Sequence, residues 1–150
     1  MKLIKPSFEV LEQAPGLTGV YKQIEIAGRT CYKSEDNITE DSARGFVERM
    51  MVSGHGAMLE HGTVYLKQEC NGIMNQINPI WKRYEKNKYS KVVYYSELLN
   101  LNIKSDLIFS TAYITTNYRV IVENGWYEDL QYLCEPTEYH EKRITSKFIC

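Results

Sequence analysis

The sequence predicts an α+β fold, a mixed or antiparallel sheet with helices packed on one side. Apolar residues recur at helical spacing in some stretches and alternate with a period of two in others, and the two kinds of stretch intermingle without a regular βαβ rhythm. No segment repeats at the roughly 20–50-residue periods of solenoids and propellers. A chain of 150 residues fits one domain, 1–150. A domain of that size buries about two-thirds of its unfolded surface, enough for its own core.

Residues 2–11 read as a first strand, placed at a sheet edge because Pro6 cannot donate to a ladder. A turn follows at Ala14-Pro15-Gly16. Leu17, Val20, Tyr21, Ile24 and Ile26 or Ala27 mark a helix over 17–32, against which Gly19 and Gly28 count as weakening residues. After a polar linker at 33–37, Ile38 and Thr39 are the expected staple and N-cap of a second helix, with Glu40 and Asp41 against its positive end. Ala43, Phe46, Val47, Met50 and Met51 form its apolar stripe. Gly54 can take the left-handed conformation that ends it, and Gly56 permits a second bend just past His55.

A half-buried strand begins at Thr63 and is expected to break at Asn71-Gly72. Pro79 suits the first residue of a short helix running to Lys88, and 89–95 reads as a strand. The run 112–122 is rich in β-branched and aromatic residues and predicts a central strand, stopped by Asn124-Gly125. In that strand Asn117 and Arg119 would share a face. Trp126, Leu130 and Leu133 predict a short helix, and 143–149 a final strand.

Composition narrows the function classes. The 43% apolar and 25% charged fractions exclude a disordered chain. Eighteen basic against nineteen acidic residues create no global field toward nucleic acid or anionic lipid, so neither is an expected partner. The N-terminus lacks a signal-peptide core, and the longest uncharged runs fall short of the roughly 20 residues of a membrane span. The cysteines Cys31, Cys70, Cys134 and Cys150 form no CxxC pair, which argues against a metal site and for reduced, buried thiols in a cytoplasmic protein.

Two patterns have chemical potential. His55 and His61 bracket Met58, Leu59 and Glu60 in a glycine-flanked loop, where an imidazole can donate to or stack on a bound ring, or simply cap the helix and satisfy strand backbone. No serine or cysteine nucleophile accompanies them, and their spacing is not a helical metal pair. Between Lys82 and Lys91, five basic residues interleave with Tyr84 and Tyr89. That run fits either a single-stranded nucleic-acid contact or, as the near-zero net charge favours, a solvated helix face.

RTCY at 29–32, SGHGAMLEH at 53–61, TNYRVIVENGW at 116–126 and YHEKRITSKFIC at 139–150 together resemble the flavin-dependent thymidylate synthases. The histidine loop is the most specific of these pieces. The resemblance implies transfer of a one-carbon unit from methylene-tetrahydrofolate to deoxyuridine monophosphate, with FAD as cofactor, NADPH as reductant and a homotetrameric assembly. It places Cys31 at a usual flavin-contacting serine, His55 against the flavin and folate, Ala57 at a usual serine or threonine, and Glu60 and His61 at the pair closing the loop. Cys31 and Ala57 depart from the family by lacking hydroxyl donors. The family's Arg-His-Arg signature follows a strand like 143–149, and the chain reaches Cys150 just before that point. The expectation is therefore an N-terminal portion of such an enzyme, with no catalytic residue of its own and no activity alone.

Overall fold

A computed structural model of the chain describes residues 4–73, 77–99 and 107–149. Residues 2–3 of the expected first strand, 74–76 after the second strand, and Cys150 lie outside them. The chain is α+β, with its strands divided between a two-stranded sheet, β1-β5, and a three-stranded sheet, β2-β4-β3. It resolves into two compact units, the second (64–141) inserted into the first (1–63 with 142–150). Among the described residues no helix is long and apolar enough to cross a membrane, and no cluster of ligands suited to a metal ion is found.

Unit 1 contains β1 (Ser7–Leu11), α1 (Gly16–Cys31), α2 (Ser42–Val52), the single-turn α3 (Gly56–Leu59) and β5 (Thr145–Ile149). β1 and β5 pair antiparallel with Phe8 opposite Phe148, so both strands are sheet edges, as Pro6 suggested. Val20, Ile24, Ala27, Ala43, Phe46, Val47 and Leu59 form the core of this unit. The glycines expected to weaken α1 are instead sites of close approach. A Cβ on Gly28 would stand 2.4 Å from the Phe46 ring, and one on Gly19 would stand 1.6 Å from the Ala14 carbonyl oxygen. Packing therefore requires the residues that helix propensity counts against.

α2 starts later than the sequence suggested. Asp41 precedes its first turn with no side-chain cap, and Thr39 does not cap it. Ser42 takes over: its Oγ accepts the Thr39 N–H at 2.8 Å and lies 2.9 Å from Oε2 of the buried Glu25, which Arg29 also meets at 3.3 Å. A buried carboxylate needs such partners, and here they come from both helices. Gln13 holds the Thr63 backbone within the same unit, donating to its carbonyl at 2.8 Å and accepting its N–H at 2.9 Å.

Unit 2 comprises β2 (Thr63–Ile73), α4 (Trp81–Glu85), β3 (Lys91–Leu99), β4 (Leu107–Asn117) and α5 (Tyr118–Asn124). β4 is the central strand, as expected, and pairs antiparallel with β3. The strand reading of 112–122 nevertheless overran. At Asn117 the chain turns into a helix, because the Asn117 Oδ1 accepts the Val120 N–H at 3.1 Å and caps it. Arg119 consequently leaves the face it was expected to share with Asn117 and pairs along the helix with Glu123 at 2.7 Å. Gly125 closes α5 in the left-handed conformation. β2 runs through Asn71-Gly72 instead of breaking there, the short helix spans only 81–85, and residues 127–132 form a 3₁₀ rather than an α-helical turn.

Candidate functional site

The histidine turn is built from the end of α2. His55 N–H donates to the Met50 carbonyl at 3.0 Å and Gly54 N–H to the Met51 carbonyl at 3.3 Å, with Gly54 at φ +72°. This is a Schellman closure, and it satisfies carbonyls that the helix end leaves unpaired. The expected second glycine bend does not form, since Gly56 is the first residue of α3. Leu59, 2% exposed, anchors the turn in the core of unit 1. His55, Ala57 and Glu60 are exposed and His61 is half-buried.

Among the described residues, the fixed partner of the His55 ring is Tyr32. The Tyr32 hydroxyl lies 2.8 Å from His55 Nδ1, and the rings stack with centroids 5.9 Å apart and an interplanar angle of 29°. Tyr32 directly follows α1, so this bond ties the Cys31 end of α1 to the histidine turn. With Nδ1 engaged, Nε2 of the exposed residue is a donor or an acceptor according to which way the Tyr32 proton points. In the sequence Tyr32 stands out only as part of the RTCY segment. No periodicity singles it out, because its partner lies 23 residues away. Two clefts of unit 1, one lined by Leu17, Tyr21, Glu40 and Arg44 and one by Gly45, Arg49 and Val52, do not include these residues.

The cysteines are less buried than expected. Cys31 is exposed, and Cys70 and Cys134 are half-buried and free, with burial raising both of their thiol pKa values. Cys150 lies outside the described residues.

Comparison with protein-family models, curated proteins and solved structures finds no match to this chain. The site is therefore read from its own chemistry.

Unit 2 holds polar chemistry that sequence spacing did not signal. His140 is 7% exposed. Its Nε2 lies 3.0 Å from the Leu66 carbonyl, and its Nδ1 accepts the Thr137 N–H at 3.0 Å. A carbonyl only accepts and an amide N–H only donates, so the neutral Nε2–H tautomer is specified. Burial lowers the His140 pKa, and the bond to Leu66 opposes that in part. Tyr65 and Tyr113 set their rings edge-on to the imidazole at 5.4 and 5.5 Å.

Asp129, also buried, accepts the Tyr84 hydroxyl at 2.6 Å and pairs with Arg83. Tyr84 is fully buried, and burial followed by its bond to Asp129 raises its pKa. The basic and tyrosine run is thereby divided. Tyr84 lies inside and Arg83 is engaged, leaving Tyr89, with the Lys88 ammonium 4.8 Å from its ring, as the run's exposed aromatic residue.

Proposed function

We propose that the histidine turn of unit 1 is the flavin-facing wall of a flavin-dependent thymidylate synthase. The observation that carries this reading is the His55 imidazole, exposed yet held in a set orientation by the Tyr32 hydroxyl and the backbone closure beneath it. Binding sites gain affinity from side chains positioned before the ligand arrives.

The donor set fits the ring end of FAD. A flavin ring carries carbonyl and ring-nitrogen acceptors along one edge and an N–H donor, and His55 Nε2 serves either. Tyr32 adds a planar surface, and Cys31 stands beside it in the chain. The Cys31, His55, Ala57, Glu60 and His61 set has only imidazoles to meet a pyrophosphate, so phosphate contacts require other residues. Bound FAD would supply hydride transfer, and the residues of this chain would orient the ring and shield one face. In this reading deoxyuridine monophosphate, methylene-tetrahydrofolate and NADPH are the substrates, and the working assembly is a homotetramer in the cytoplasm.

The test is titration of FAD with the purified chain, followed by flavin fluorescence. The reading predicts saturable quenching, weakened about tenfold or more by His55→Ala, the equivalent of roughly 1.4 kcal/mol. Quenching that never saturates, or that His55→Ala leaves untouched, would overturn it. The 150 residues contain no Arg-His-Arg, so the chain alone is expected to make no thymidylate from deoxyuridine monophosphate with FAD and a reduced nicotinamide. Product formation would refute that expectation.

A further inference from the structure

A cleft within unit 2 encloses about 370 Å³ between α4 and the β3-β4 pair. That volume lies inside the roughly 300–1,000 Å³ range of small-molecule sites. Its aromatic wall is a stacked pair, the Trp81 indole on the Tyr94 phenol, 4.3 Å between centroids and 13° from parallel. Tyr94 keeps 45% of its surface exposed, so part of its ring remains available. Ile108 adds an apolar side and Ser96 an exposed hydroxyl, while the Ser110 hydroxyl is committed to the Cys70 carbonyl at 3.1 Å.

Among the described residues the cleft has one cation. Lys82 lines it, its ammonium 5.9 Å from the Trp81 ring, and no carboxylate pairs with it among the described residues. Arg83, the next residue, is held by Asp129 and so is committed elsewhere. The Trp81 Nε1–H is buried without an acceptor among the described residues, an unusual state for an indole donor.

We propose that this cleft binds a nucleoside monophosphate, at a site independent of the histidine turn and of the function proposed for it. The base lies on the open part of the Tyr94 ring and extends the Trp81-Tyr94 stack, as bases do on aromatic platforms. The phosphate pairs with Lys82, and the sugar hydroxyls meet Ser96. A single ammonium matches one phosphate; a triphosphate would call for further cations or a nest of backbone N–H groups.

The experiment uses the whole 150-residue chain and tryptophan emission, with uridine and adenosine monophosphates as probes. The proposal predicts saturable quenching in the range of about 0.1–1 mM, with the free nucleosides about fivefold weaker or more and inorganic phosphate causing no quenching. Tyr94→Ala weakens binding about tenfold or more, the scale of one lost base stack. Lys82→Gln, a change at an exposed position that leaves the fold intact, weakens it about fivefold and abolishes the preference for monophosphate over nucleoside. Quenching that fails to saturate, equal affinity for monophosphate and nucleoside, or binding unaltered by Lys82→Gln would overturn the proposal.

Discussion

His55 and His140 are the same side chain in opposite settings. His55 stands exposed at the end of a helix with, among the described residues, one side-chain partner, Tyr32, and an open ring nitrogen. His140 is buried between two tyrosine rings, with both nitrogens committed to backbone groups. The first arrangement is restrained but unfinished, as a ligand contact is before its ligand arrives. The second is complete and leaves no capacity for a ligand. A histidine's place in a sequence pattern thus says less about its role than what its two nitrogens meet.

Substitutions sharpen this contrast. His140→Ala removes a buried ring and strands the Leu66 carbonyl and the Thr137 N–H, so stability should fall by about 3 kcal/mol in urea unfolding. A loss below about 1 kcal/mol would mean that His140 is not the interior group described. Gly28→Ala probes the packing of the unit that carries His55. Its methyl meets the Phe46 ring, and an overpacking cost of about 2 kcal/mol is expected, whereas a stabilised variant would show that α1 and α2 do not approach so closely.

Acid should separate the histidines next. The folded chain holds His140 with a lowered pKa, so between that value and the ordinary histidine value of about 6.5 the unfolded chain binds a proton that the folded chain refuses. The contribution is therefore fully present above about pH 6.5 and is lost as pH falls through the lowered folded value. Urea midpoints measured from pH 7.5 down to 5 should fall more steeply for the wild-type chain than for His140→Ala. Parallel slopes would remove His140 as the source. The smallest effect belongs to His55→Ala, which should change stability by no more than about 0.5 kcal/mol, since its ring is exposed and has a single bond. A drop several times larger would make His55 a structural residue and deprive the flavin reading of its main support.

Local signals in the sequence reached far into unit 1. Val20, Ile24 and Ala27 of α1 and Ala43, Phe46 and Val47 of α2 are core while Leu17, Tyr21, Met50 and Met51 are half-buried, and Gly54 closes α2 as its position suggested. What misled was any residue whose reason is tertiary. Gly19 and Gly28 looked like helix breakers because the Ala14 carbonyl and the Phe46 ring that need their space are distant or invisible in a one-dimensional pattern. Thr39 looked like a cap because nothing local showed that Ser42 would face Glu25 from the neighbouring helix. In unit 2, the β-rich character of 118–122 concealed a helix that the Asn117 cap and the Gly125 terminator together delimit.

The site was legible to the same degree. His55 and its glycine are visible as a motif, but Tyr32 depends on a contact across 23 residues, and His140 on one across 74. The Trp81-Tyr94 cleft joins a helix and a strand that sequence reading had considered separately.

Histidine ring signals in two-dimensional proton–carbon NMR, recorded while FAD is added at neutral pH, test the division of roles most directly. The account predicts that the His55 resonance shifts progressively and saturates, while that of His140 stays in place. A His140 resonance that moves while His55 does not would contradict it.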